Sequence, residues 1–369
     1  MRKTICLFLL ISGVALLYLA MNQTLINKIK QDRYFDHLNP PAAYNKTLYY
    51  RMFVRSDRWR YGDLYGLCYL PWFKANLEPF KKYGYNNRQK LTNRILYITG
   101  DSFLADKTME GAFNGFDNVV FLDQRFPYGP IALDSSKENY LIMEFTERRL
   151  NGFDFYKTDE AKWAKAEISA KLNYSKRTAP GTDSKLPATI WERINNAFFN
   201  KDLSRNLALL LFDDRIFTPV KELKATLNYR LLGWLPQEVA ISTDEKRLLL
   251  NITVDSSYQQ SAFKNISGSQ LDQINQNLMA ARSYYESIGF KKVFLSLIPN
   301  PVSIYDAKRM PYNHLLERVE KKTNLTVIPL YNTFKSYPGN LYYRNDAHWN
   351  PNGFDIWISK TNEILNAGN

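Results

Sequence analysis

Cysteine and histidine are nearly missing from this sequence: 369 residues hold two of the first and three of the second. Cys6 lies in an N-terminal apolar run, which leaves Cys68 alone in the rest of the chain, so no internal disulfide can form there. A cysteine-based metal site is disfavoured by the same count. Internal repeats and low-complexity tracts are also lacking, and no block of five or more basic residues occurs. The formal charge of +13 is therefore dispersed, as in Lys291-Lys292 and Lys321-Lys322, which read as solvated helix ends. No nucleic-acid-binding motif accompanies it, and the expectation is no nucleic-acid partner. A basic surface also suits an anionic polymer or membrane headgroups.

What is present is apolar and aromatic. Hydrophobic residues make up 45% and aromatics 15% of the chain, enough core for one large α/β domain or two modest ones. Tyrosine and tryptophan serve where rings must pack and also hydrogen-bond, which includes sugar-binding clefts as well as ordinary cores. Arg2 and Lys3 precede an uncharged run from Ile5 to Met21. This pattern marks an exported protein. No convincing small-x-small cleavage site follows, so residues 1–22 are read as an uncleaved signal anchor. The positive-inside rule then leaves residues after about 30 outside the cytoplasm, in a periplasm or at a cell surface.

Residues 23–50 are polar, with Pro40-Pro41, and read as a stalk. The domain proper is expected over 51–369, with an insertion or cap at about 151–235 that contains a helix candidate at 186–199. Apolar runs at 94–98, 118–123, 139–146, 247–254, 291–299 and 325–331 read as strands. The periodic segment Ser267–Ile288 reads as an amphipathic helix with a Ser267/Gln270 capping box, stopped by Gly289. A further helix is expected around 311–322, and a closing one begins near Pro351. This alternation implies parallel crossovers and an α/β sandwich with a central, mostly parallel sheet.

"ILYITGDSF" (95–103) turns from an apolar run into Gly100, Asp101 and Ser102. Two readings are open. Ser102 is either the cap of a weak helix or a nucleophile on a strand-to-helix turn. A serine hydroxyl needs a base, and a base in turn needs an orienting acid. His37 falls in the presumed stalk and His314 in a charged, solvated helix. His348 lies in "NDAHW", two residues after Asp346, so one short segment can supply both groups. The alternative is that Asp346 caps the closing helix while His348 packs. Loops at the carboxyl ends of parallel strands gather at one edge, where the two segments can meet.

"GDSF" (100–103) together with "DAHWNPNG" (346–353) resembles the SGNH (GDSL-like) hydrolase superfamily. The closer likeness is to its branch of AlgJ/AlgX-like polysaccharide O-acetyltransferases. "YLIMEFTERRL" (140–150), "FLSLIPNPVSIY" (294–305) and "LYYRNDAHWNPNG" (341–353) carry that likeness, over about a third of the chain. Two departures stand out: the serine block precedes the Asp-x-His block here, and the superfamily's usual Gly and Gly-x-Asn-Asp blocks are absent. The resemblance implies Ser102 as nucleophile, His348 as general base and then acid, and Asp346 as orienting carboxylate. The Ser102 backbone N–H is the default oxyanion donor. Arg125, Tyr128 and Asn350 are candidates for further oxyanion or substrate contacts, and Glu147 with Arg148 for a structural ion pair. The implied activity is acetyl transfer to a cell-surface or secreted polysaccharide, with a membrane-bound O-acyltransferase as acyl supplier and neither cofactor nor metal. A carbohydrate acetyl esterase with the same triad, or a non-catalytic exopolysaccharide-assembly protein, are the alternatives.

Overall fold

The computed structural model describes residues 2–38, 47–84, 92–105, 107–125, 131, 133–158 and 202–367. The expected helix over 186–199 and candidate residue Tyr128 lie outside them. The helices are α1 (Arg2–Met21), α2 (Gln23–Leu38), α3 (Asp63–Cys68), α4 (Glu147–Leu150), α5 (Leu203–Phe212) and α6 (Thr218–Leu232). They continue with α7 (Gly268–Ser287), α8 (Pro301–Tyr305), α9 (Leu315–Lys322), α10 (Tyr331–Ser336) and α11 (Pro351–Ala367). The strands are β1 (Arg94–Gly100), β2 (Asn118–Asp123), β3 (Glu138–Thr146), β4 (Val239–Ile241), β5 (Leu248–Leu250), β6 (Phe290–Ile298) and β7 (Thr326–Ile328).

Two compact units emerge: Met1–Asn76 with Gly181–Pro236, and Leu77–Pro180 with Gln237–Asn369. The expected insertion is thus divided, its later part grouping with the N-terminal segment. In the first unit, the segment read as a stalk contains helix α2. Ile26 and Ile29 of that helix are fully buried beside Leu209 of α5. Two apolar positions a turn apart, meeting Leu209 of α5, were enough to form a small core among otherwise polar residues. Among the described residues, α1 is the one helix long and apolar enough to cross a membrane.

The second unit is an α/β structure around a five-stranded sheet ordered β2-β1-β3-β6-β7, with every pair parallel. Side chains alternate between its faces. Tyr97, Leu141, Met143 and Leu295 bury with Leu278 of α7 and Leu316 of α9. Leu96, Ile98, Ile142 and Phe294 bury with Phe334 of α10 and Trp357 of α11. Coverage on both faces is why these strands read as continuous apolar runs rather than as alternating ones. Helix α7 carries the expected capping box at Ser267 and Gln270, and Gly289 follows it at a φ of 118°.

Three elements differ from expectation. The run 247–254 does not join the parallel sheet. β5 pairs antiparallel with β4 in a separate hairpin, and Asn251–Thr253 turns into a 3₁₀ segment. Glu245 holds the hairpin turn at a φ of 57°, with Asp244 accepting from the Ser242 hydroxyl and the Lys246 amide. β7 is confined to Thr326–Ile328, and α9 begins only after His314, whose φ is 54°.

Candidate active site

β1 ends at Gly100 because nothing larger fits. A Cβ there would stand 2.7 Å from Glu144 Oε2 and 3.2 Å from both Leu104 Cδ1 and Phe121 Cε2. The chain then makes a tight turn whose amide groups are nearly all engaged. Asp101 N–H donates to Glu144 Oε2 at 2.8 Å, and Phe103 N–H donates to Asp101 Oδ1 at 2.9 Å. Leu104 and Ala105 N–H both donate to the Asp101 carbonyl. The weak helix expected here is this turn, and Asp101 rather than Ser102 is its cap. Among the described residues, no group accepts from the Ser102 N–H. The Ser102 hydroxyl is likewise not consumed by capping.

The second segment is held by a bridge between Tyr342 and Trp349. Asn350 N–H donates to the Leu341 carbonyl at 2.9 Å and Tyr343 N–H to the His348 carbonyl at 3.3 Å, so residues 343–348 form a short closed loop. At its start α11 presses against Leu341. A Cβ on Gly353 would lie 2.4 Å from the Leu341 carbonyl oxygen, which explains the glycine of "HWNPNG". The Trp349 indole N–H donates to the Phe103 carbonyl at 2.9 Å, fastening this loop to the Ser102 turn.

The outcome is a chain of three polar groups. Ser102 Oγ lies 2.7 Å from His348 Nε2, between residues 246 positions apart, and His348 Nδ1 lies 2.6 Å from Asp346 Oδ1. An ionised carboxylate can only accept, so Nδ1 carries the proton and Nε2 is left to accept from the serine hydroxyl. Asp346 Oδ1 also accepts from the His348 backbone N–H at 2.8 Å, locking the turn that aims the ring. The Asp346 and His348 side chains are only 10% and 23% exposed, a setting that strengthens such contacts. The Phe103 ring lies 4.9 Å from the imidazole, and the Arg148 guanidinium sits 5.5 Å over the other partner of that pair, Phe103. This arrangement can deliver a serine oxygen to an electrophilic carbon, with a proton acceptor on one side and the Ser102 amide beside it.

The other sequence-derived candidates have different surroundings. Arg125 follows β2 at the same sheet edge, and its guanidinium is forked onto Asp123, with Nη2 2.8 Å from Oδ2. Asn350 is committed to structure: its Oδ1 accepts from Gly353 N–H at 3.1 Å and its Nδ2 donates to the Asn340 carbonyl at 2.9 Å. His314 is exposed and pairs with Glu317 at 2.6 Å. Glu147 does not pair with Arg148. It is buried and accepts from Asn300 N–H, the Ser303 hydroxyl and the Tyr312 hydroxyl, at 2.9, 2.6 and 2.9 Å. Burial holds its carboxyl above the usual range despite those donors. It thereby joins β3 to the segment after β6, while Tyr305 OH accepts from Leu341 N–H at 2.7 Å and Tyr342 OH donates to the Pro299 carbonyl. The stretches 140–150, 294–305 and 341–353 are therefore neighbours in space.

Glu144 is a participant that sequence reading passed over; its signal was an acid in the middle of an otherwise apolar, buried strand. It is fully buried beneath the Ser102 turn, and among the described residues Oε1 has no hydrogen-bond partner. Desolvation, then the nearby Asp101 charge, raises its carboxyl well above the ordinary range. The folded chain therefore keeps this proton at a pH where the unfolded chain releases it. Its contribution to stability is full in acid and falls as pH rises through the raised value. Glu144→Gln retains an acceptor for the Asp101 amide and removes the titration. Urea denaturation should find the variant increasingly more stable than the parent as buffer moves from acidic to alkaline. A constant difference between the two would contradict this account.

No family model, curated protein or solved structure matches the chain.

Proposed function

We propose that the protein is a serine-dependent O-acyltransferase of SGNH-like type, anchored by α1 with its catalytic unit outside the cytoplasm, that acetylates a cell-surface or secreted polysaccharide. The observation that carries this reading is the continuous Ser102–His348–Asp346 chain, with links of 2.7 and 2.6 Å. Two further features support it. The Ser102 N–H, unengaged among the described residues, is available to an oxyanion, and the three stretches that resemble the O-acetyltransferases adjoin one another.

In this scheme Ser102 Oγ attacks the acyl carbonyl carbon while its proton passes to His348 Nε2. Asp346 stabilises the resulting imidazolium and keeps the ring oriented. The Ser102 N–H donates to the oxyanion; one donor of this kind lowers the barrier by about 3 kcal/mol. The donor's leaving group departs with the proton from Nε2, and acetyl-Ser102 remains. A sugar hydroxyl then attacks that ester, giving its proton to Nε2, and collapse returns the proton to Ser102 Oγ. Outside the cytoplasm the acyl group has to be handed across the bilayer, a role that suits a membrane-bound O-acyltransferase partner.

Purified protein supplied with an acetyl-phenol ester and an oligosaccharide acceptor should yield acetylated sugar, detected by mass. Release of acetate alone, at every acceptor concentration, would favour an esterase. No turnover of any kind would refute the enzymatic reading.

A further inference from the structure

Helix α6 in the first unit turns polar side chains inward and apolar ones outward. Its inner face is polar and engaged. Lys221 Nζ donates to Asp213 at 2.6 Å, and Glu222 accepts from the Tyr65 hydroxyl at 2.5 Å and pairs with Lys74 at 2.9 Å. Thr218 donates to Asp57 at 3.0 Å. Its outer face carries Val220, Leu223, Leu227 and Leu231, in line with Ile216 one turn earlier. These side chains are 48% to 74% exposed. At ~100° per residue, Lys224 and Arg230 fall on opposite borders of that stripe. Exposed Trp72 and Trp234 lie nearby in the chain or against it, Trp72 packing on Tyr229 with the Arg230 guanidinium over its ring.

The same unit contains α1, and the two are tied together. Asn206 of α5 donates to the carbonyl of Ala20, at the end of α1, at 2.9 Å. Arg33 of α2 pairs with Asp213 at 2.5 Å and donates to the Leu209 carbonyl, fixing the link between α5 and α6. An apolar stripe bordered by cations and tryptophan matches the boundary between lipid headgroups and acyl chains. We infer that α6 lies on the outer surface of the bilayer, its leucine stripe immersed in the acyl boundary and Lys224 and Arg230 on lipid phosphates. This inference rests on α1 being a membrane anchor, and it is independent of the acyl chemistry.

The full chain, reconstituted in nanodiscs of phosphatidylethanolamine and phosphatidylglycerol, tests it with the photoreactive residue p-benzoylphenylalanine placed at Leu227 or, separately, at Leu10 of α1. Illumination should give lipid adducts at both positions. Lipid adducts at Leu10 alone would overturn the inference and leave the anchor standing, whereas none at either would overturn the anchor itself. A protein adduct at Leu227 in native membranes, in place of a lipid one, would overturn it in favour of a docked protein. Lys224→Glu combined with Arg230→Glu should lower the Leu227 lipid yield several-fold in these discs, and an unchanged yield would remove the phosphate contacts from the inference.

Discussion

Ser102→Ala should leave the fold intact and lower acyl transfer and ester turnover by about 10⁴-fold or more. The fold is spared because the Ser102 hydroxyl supports no part of the turn. Asp101 supplies the capping oxygen, and the Asp101 carbonyl takes the two following amides. The loss is large because no other hydroxyl within the turn is held at 2.7 Å from His348 Nε2. His348→Ala should cost a similar factor, and the double variant hardly more than either alone, since in the proposed scheme base and nucleophile act as one unit. Intact mass after exposure to an acetyl ester should show an acetyl adduct on the parent and none on Ser102→Ala. Additive losses in the double variant would mean that Ser102 and His348 do not share a step.

The largest effect on stability is expected at Trp349. It is fully buried, with the rings of Phe103, Phe354 and Trp357 at 5.3, 6.0 and 5.9 Å, and its indole N–H is bonded to the Phe103 carbonyl. Trp349→Ala removes that packing and leaves a cavity, for a loss of about 3–5 kcal/mol in urea denaturation. Trp349→Phe separates the two roles. It retains much of the ring contact but orphans the Phe103 carbonyl, so stability should fall by about 1 kcal/mol. Turnover should fall out of proportion, because that bond fastens the Ser102 turn to the loop bearing His348. If Trp349→Phe kept full turnover, the fastening role would be wrong.

How much was legible beforehand follows from the range of each interaction. The strands of the parallel sheet announced themselves as apolar runs because both faces are covered, and α7 did so through its period and its cap. The meeting of Ser102, His348 and Asp346 was legible because serine, histidine and aspartate each have few roles near a turn, and the chain holds only three histidines. What stayed hidden depends on contacts between distant segments. The partners of Glu147 lie at Asn300, Ser303 and Tyr312, and nothing near Arg148 in sequence distinguishes them from a local ion pair. The run 247–254 has the composition of a core strand, yet Leu248 N–H donates to the Arg344 carbonyl and the segment turns at Asn251 instead of joining the sheet. The polarity of α2 concealed Ile26 and Ile29, whose partner Leu209 is far along the chain.

The placement of Ser102 just after β1 and of His348 just before α11 has a consequence for the timing of biogenesis. During synthesis Ser102 emerges 246 residues ahead of His348, which must then dock beside it across the sheet. Contacts so distant in sequence form late, because loop closure precedes them. Under the proposed function, Ser102 therefore stays inert until the segment bearing His348 has been made and α11 has seated.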